Sequence, residues 1–308
     1  MNNRFSSWFI FFLLCIIWGS SFILMKYSKE GLNAIQIAAV RIFFGGLIFV
    51  PFALFHLAKI SRKKMGQVVF AGLFGNLLPA FLFAIAITKN IDSSLAGILN
   101  SLTPIFVVLI SILFFKDFIK KQKIIGVLIG FAGLCLLTLT QNDINLQNFG
   151  YSLLIVLATI FYGINVNLVS HFLRDQNPFH ISTVSIAIMT IPTAFVLWQQ
   201  GFLQFDFKDP VIQRSVFASV ILGIAGSSIA TVLFYVLVKK AGGLFASLVT
   251  YGIPFVALFW GFIDGEKITV IEIFCLAIIL FGVYLTNRSE KQKSREESLL
   301  VESGIEKT

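Results

Sequence analysis

Ten runs of predominantly apolar residues follow one another along this chain, at about 7–26, 34–57, 66–88, 93–115, 124–140, 150–171, 181–198, 215–238, 244–263 and 268–286. A helix needs roughly 20 apolar residues, within a usual range of about 17–25, to cross a hydrocarbon core about 30 Å thick. Each run meets that requirement. The sequence therefore predicts an all-α integral membrane protein of ten spanning helices. Composition agrees: 57% of residues are hydrophobic and 13% charged, against about 25% charged in soluble domains. A water-soluble core of this size has no means of hiding that much apolar surface.

The apolar run from Trp8 to Leu24 follows Arg4. It lacks a small-residue cleavage site and leads into a second apolar segment, so it reads as the first span rather than a signal peptide. Cys15, Cys135 and Cys275 stand alone inside apolar runs with no CxxC pair, which excludes a disulfide framework or a zinc site as the organising feature. No metal or cofactor is expected.

The net charge of +9 reads as topology. If the amino terminus is cytoplasmic, the inner loops carry twelve basic residues: Arg4, Lys59, Arg62, Lys63, Lys64, Lys116, Lys120, Lys121, Lys123, Arg174, Lys239 and Lys240. The outer loops carry six: Lys26, Lys29, Lys89, Lys208, Arg214 and Lys267. Basic residues concentrate in cytoplasmic loops, so both termini are expected there. No basic, aromatic-interleaved patch suggests a nucleic-acid partner. Residues 288–308 are rich in Lys, Arg, Glu and Ser, the composition of a solvated, disordered cytoplasmic tail. With only about seven residues ahead of the first span and no transit peptide, a bacterial inner membrane is the expected site.

The chain also repeats itself. Gly72-Leu73-Phe74-Gly75 and Leu82-Phe83 return 151 residues later as Gly223-Ile224-Ala225-Gly226 and Leu233-Phe234. Pro104 returns as Pro254 and Gly133 as Gly282, and Lys116-Asp117 pairs with Gly265-Glu266-Lys267. A unit of five crossings is odd, so its second copy enters the membrane from the opposite face. The expected organisation is two inverted five-helix repeats, 1–141 and 142–287, around a central cavity, an architecture of many secondary transporters.

Trp18-Gly19-Ser20-Ser21-Phe22, Arg41 with Gly45-Gly46, Leu102-Thr103-Pro104, and the series from Pro254 through Gly265-Glu266 to Gly282-Val283-Tyr284 resemble the ten-helix, EamA-type branch of the drug/metabolite transporter superfamily. The resemblance runs from Trp8 to Thr286. It implies a basket of two five-helix halves, with spans 1, 3, 4, 6, 8 and 9 around a central cavity. It implies transport of metabolites, often export of amino acids or related compounds. It also implies that spans 5 and 10 pack peripherally and offer a surface for a homodimer. This chain differs from the family pattern at Lys116-Asp117, where Gly-Glu is frequent, and at Tyr162-Gly163, where a Trp is common.

Polar side chains deep in a span face a cavity or another helix, because hydrocarbon offers them no partner. On that ground Trp18, Ser21, Asn76, Asn100, Thr103, Tyr162, Asn165, Ser228, Thr250 and Tyr251 are the candidate substrate-binding residues. Asn100-Ser101 and Thr250-Tyr251 are repeat-equivalent and are expected on related walls. Ser and Thr also bond to their own helix or mediate close packing, and Gly126 and Gly130 form a GxxxG best read as a packing motif.

Arg41 lies seven residues into the second span, where a buried cation costs at least about 2.5 kcal/mol. It either pairs with a substrate carboxylate or snorkels toward the interface. Pro104 and Pro254 withdraw a partner from the carbonyls of Asn100 and Thr250, which makes them hinge candidates or static kinks.

No HExxH, GxSxG or P-loop pattern indicates an enzyme. Asp92, Asp117, Asp264, Glu266 and Glu272 fall near span ends, as do His56, His171 and His180. The expectation is facilitated diffusion or exchange of neutral, zwitterionic or amphiphilic solutes, with a lipid-intermediate flippase or a non-transporting helper as the alternatives.

Overall fold

The computed structural model describes residues 3–89, 93–139, 149–263, 269–271 and 273–286. Among them there is no strand, and nearly all are helical. Asp92, Asp264, Glu266, Lys267, Glu272 and the tail 288–308 lie outside the described residues.

The first predicted span holds α1 (Asn3–Gly19) and α2 (Ser21–Ser28), and the second is α3 (Ala34–Leu57). The third runs through α4 (Arg62–Gly72), a π-helical segment (Leu73–Leu77) and α5 (Leu78–Thr88). The fourth is divided into α6 (Ser93–Asn100) and α7 (Thr103–Phe115). Then come α8 (Lys121–Leu139), α9 (Phe149–Phe172) and α10 (Pro178–Gln199). The eighth runs through α11 (Pro210–Ile221), a second π-helical segment (Leu222–Ile229) and α12 (Ala230–Ala241). The ninth is divided into α13 (Gly243–Ser247) and α14 (Val249–Ile263), and α15 (Ile273–Thr286) follows.

Five continuous helical stretches are long and apolar enough to cross a membrane: Ala34–Leu57, Arg62–Thr88, Gly150–Phe172, Pro178–Gln199 and Pro210–Ala241. Shorter apolar helices accompany them, at Phe5–Gly19, Thr103–Phe115, Gly243–Val256 and Ile273–Thr286. The outer surface is apolar, with Phe55, Leu113, Phe114, Ile191 and Phe195 all exposed. A soluble protein does not leave so much apolar surface uncovered; in lipid it is the required exterior.

The interruptions have local causes. Proline has no N–H and its ring crowds the preceding turn, so Pro104 stands in the first turn of α7, after the break at 101–102. The carbonyl of Asn100 instead accepts the Thr103 hydroxyl at 2.7 Å. Pro254 lies inside α14, and the carbonyl of Thr250, four residues earlier, accepts the Ser101 hydroxyl at 3.4 Å. The two π-helical segments coincide with the repeated Gly-x-x-Gly motifs. A π turn is wider than an α turn and leaves carbonyls out of the regular ladder.

Close packing explains those glycines. A Cβ on Gly72 would strike the Ser185 carbonyl, and one on Gly223 would strike the Arg41 carbonyl. The end of α4 thus lies backbone-to-backbone on α10, and the second π-helical segment on α3. Similarly, a Cβ on Gly126 would lie 2.7 Å from the Gly282 carbonyl, and one on Gly282 2.6 Å from the Gly126 carbonyl. The GxxxG face of α8 is therefore occupied by α15 of the same chain.

The connections gather at two ends. At one, Lys64 pairs with Asp175, Lys239 Nζ donates to the Gln176 carbonyl at 2.9 Å, Lys240 Nζ donates to Ser6 at 2.9 Å, and His171 Nε2 lies 2.9 Å from Asp117. At the other, Arg214 pairs with Glu30, Asn33 Nδ2 donates to Gln200 Oε1 at 3.2 Å, and Ser215 donates to the Tyr27 carbonyl at 3.0 Å.

Candidate functional site

A cavity of about 110 Å³ lies at the centre of the bundle. It is lined by side chains from both ends of the sequence: Trp18 and Ser21 beside the α1–α2 break, Arg41 of α3, Asn76 of the first π segment, and Asn100 and Thr103 around the α6–α7 break. Tyr162 and Asn165 of α9 and Thr250 of α14 complete the predicted set found there. Each comes from a helix break, a π segment or the helix facing them, which are the places where a bundle has backbone and space to spare.

Two predicted residues are not among those lining this cavity. Ser228 turns its hydroxyl onto the Gly45 carbonyl at 2.6 Å and the Gly223 carbonyl at 3.3 Å. It is a packing residue at the contact between the eighth span and α3. Tyr251 is fully buried, lies against Gly130 of α8 and donates to the Val127 carbonyl at 2.8 Å. One residue further along a helix turns the side chain by about 100°, so Thr250 meets the cavity and Tyr251 the fifth span. Ser101, the repeat equivalent of Tyr251, is likewise buried in packing.

Aromatic pairs that join distant parts of the chain line the cavity. The Trp18 ring packs on Phe234 with centroids 5.5 Å apart, and Phe83 packs on Tyr162 at 6.3 Å. Trp18 also donates its indole N–H to the Gly226 carbonyl at 2.9 Å, a carbonyl in the second π segment. A Cβ on Gly75 would touch Asn165, and one on Gly226 would touch Ser21.

Polar groups in the wall are only partly satisfied. Arg41 does not snorkel: its Nε donates to Ser227 Oγ at 2.8 Å, and among the described residues no carboxylate pairs with it. Asn76 Oδ1 accepts from Thr231 at 3.0 Å, while its Nδ2 has no partner. Asn100 Oδ1 has none either. Buried polar atoms are nearly always paired, and these two stand among the exceptions, with Gln67, Ser170 and Thr190 outside this cavity.

Tyr235 closes one side. It is buried, its hydroxyl donates to Asn165 Oδ1 at 3.2 Å, and a longer contact of 3.5 Å reaches the Ala71 carbonyl. Beyond it lies a second, polar cavity of about 510 Å³, which Tyr235 also lines. Asp117, His171, Arg174, Lys239 and Lys240 stand around that vestibule. At the same end of the bundle, the Lys64 ammonium and the neighbouring Gln176 hold the Asp175 carboxyl below the usual carboxylate range.

Sequence reasoning left out Phe83, Phe234 and Tyr235, which line the central cavity together with Thr231, a polar residue at depth in the eighth predicted span. For Phe83 and Phe234 the signal was present, since both belong to the repeated Leu-Phe pair. Among the described residues, no group of three or more His, Cys, Asp and Glu side chains is placed to hold a metal ion.

The model of the EamA-like transporter family matches residues 6–139 and 149–288. An "Uncharacterized transporter" of Archaeoglobus fulgidus is 24% identical, over 91% of this chain and 98% of that protein. The "Uncharacterized inner membrane transporter YedA" of Escherichia coli is 26% identical, over 89% of this chain and 88% of its own length. The S-adenosylmethionine/S-adenosylhomocysteine transporter of Chlamydia muridarum is 21% identical over 92% of both chains. One crystal structure superposes with a TM-score of 0.68 at 17% identity, covering 93% of this chain and 98% of that one; at that identity it shows a shared fold. This chain is an integral membrane protein and belongs to the EamA-like transporter family.

Proposed function

We propose that this protein is a secondary transporter that moves small organic metabolites, amino acids or related neutral, zwitterionic or amphiphilic solutes, across the membrane by alternating access. In this reading the halves are residues 1–141 and 142–287, two inverted five-span repeats. The solute occupies the central cavity between them. Both termini and the tail 288–308 are cytoplasmic, in keeping with twelve inner-loop basic residues against six outside. The membrane is the inner membrane of a bacterium, and the chain works without a cofactor.

The observation that carries the reading is the paired make-up of the cavity wall. Gly75 and Gly226, and Phe83 and Phe234, are separated by 151 residues; Trp18 and Tyr162, and Ser21 and Asn165, by 144. Trp18 packs on Phe234 as Tyr162 packs on Phe83, and Gly72 meets the Ser185 carbonyl as Gly223 meets that of Arg41. Equivalent residues of two halves thus face one space, which a rocking motion would open to each side in turn.

Counterflow into liposomes tests the reading, with a panel of radiolabelled amino acids, nucleosides and S-adenosylmethionine, the last prompted by the chlamydial relative. Flux of one solute class by the wild-type protein, lost in Asn100→Ala and Thr250→Ala, supports a carrier. Folded protein without flux for any solute shifts the reading to lipid substrates or a non-transporting role.

A further inference from the structure

We propose that Arg41 is the charge that selects the solute: the transported molecule carries a carboxylate, which docks on the guanidinium. The proposal rests on the reading of the central cavity as the solute site. An arginine placed for structure alone inside a membrane protein is normally neutralised by a carboxylate or enclosed by several carbonyls. Arg41 has a single hydrogen-bonded partner, the Ser227 hydroxyl on its Nε, and no ion pair among the described residues. Its Nη2 points toward Gly226, 3.8 Å from where a Cβ would stand, in a stretch of wall kept bare by glycine. A guanidinium presents five donors in a planar fork that fits a carboxylate in two-point fashion. Four of those donors remain for a ligand.

Two further atoms define the rest of the subsite. Asn76 Nδ2, an unpartnered buried donor, adds to the positive side, and Asn100 Oδ1, an unpartnered buried acceptor, requires a donor on the solute. The aromatic faces of Trp18, Phe83, Tyr162 and Phe234 suit an ammonium or an apolar body. Among the described residues no acidic side chain lines the cavity, so a solute bearing only positive charge meets Arg41 with no carboxylate, on the wall or on itself, to neutralise the guanidinium. The chemistry selected is that of an α-amino acid or a larger molecule that ends in one, and it excludes amines and quaternary cations.

Ligand-induced thermal stabilisation of the purified protein in detergent tests this without requiring transport. The probes are phenylalanine, methionine and S-adenosylmethionine, each beside its carboxamide or decarboxylated amine. At least one acid should stabilise the wild-type protein, with the matched amide and amine at least about tenfold weaker, a difference expected for loss of a charge-assisted two-point contact. Arg41→Gln should abolish the preference, and Ser227→Ala should keep it. Stabilisation by an amine or amide equal to that by its acid, or by no carboxylate in the set, overturns the proposal. The wild-type comparison stands even if Arg41→Gln fails to fold. Carboxylate-selective binding without counterflow would leave the Arg41 site intact and remove the carrier reading instead.

Discussion

Trp18 donates its indole N–H to the carbonyl of Gly226, 208 residues away, at 2.9 Å. The bond ties the break between α1 and α2 to the second π-helical segment, and the same ring packs on Phe234. Trp18→Phe keeps a ring in place but leaves the carbonyl without its donor. We expect a loss of about 1 kcal/mol in stability, in line with hydrogen bonds measured within membranes, and slower counterflow. A thermal unfolding series in detergent reads the first effect and the liposome assay the second.

Close backbone contact sets a contrast between two glycines. Gly223→Ala puts a methyl group into the Arg41 carbonyl, which only a backbone shift relieves. Gly66 is exposed in α4, and a Cβ there meets nothing within 4 Å. Gly223→Ala should destabilise by about 1–3 kcal/mol, whereas Gly66→Ala should stabilise by up to about 1 kcal/mol through helix propensity. Equal melting temperatures for the two variants would contradict the packing described.

Tyr251 is a packing residue. Tyr251→Phe removes the hydrogen bond to the Val127 carbonyl and should lower stability by about 1 kcal/mol. The order of preference among solutes should stay as in the wild type, since the residue faces α8. Tyr251→Ala empties a site held against Gly130 and should cost about 3–5 kcal/mol. A changed substrate profile for Tyr251→Phe in the counterflow panel would place the residue back in the site.

The two repeat-related prolines should behave differently. Pro104 stands in the first turn of α7, where a missing N–H costs nothing, so Pro104→Ala should leave stability and flux nearly unchanged. Pro254 lies within α14. Pro254→Ala returns an N–H that competes with Ser101 for the Thr250 carbonyl and straightens the helix. We expect retained or higher stability and slower counterflow, the signature of a hinge.

The positions of the helices were legible because apolar run length is a direct physical requirement of the membrane: the second predicted span and α3 have the same bounds, 34–57. The break before Pro104 was announced by the proline, but the two π-helical segments were not. A π turn arises from how Gly72 and Gly223 settle on neighbouring backbones, and no local pattern encodes it. The same limit explains the site. Asn100 and Thr250, marked by polarity at depth, line the cavity, but Tyr251 and Ser228 carry equal polarity and differ only in azimuth. A span whose ends are known to a few residues does not fix azimuth, and the π segment turns the face again between Ser227, which holds Arg41, and Ser228, which holds Gly45. Tyr235 was hidden for the opposite reason, because aromatic residues are common everywhere in a membrane helix, whereas Phe83 and Phe234 were marked only by the repeated Leu-Phe pair.

Central to the account is a cavity reached from each side of the membrane in turn. The most direct test replaces Cys15, Cys135 and Cys275 with alanine, introduces Val166→Cys at a position that lines the cavity but has no polar role in it, and measures labelling by a membrane-impermeant maleimide in right-side-out and inverted vesicles. The account predicts labelling from both faces, slowed by a transported solute. Labelling confined to one face, unchanged by any solute that the protein binds, would contradict it.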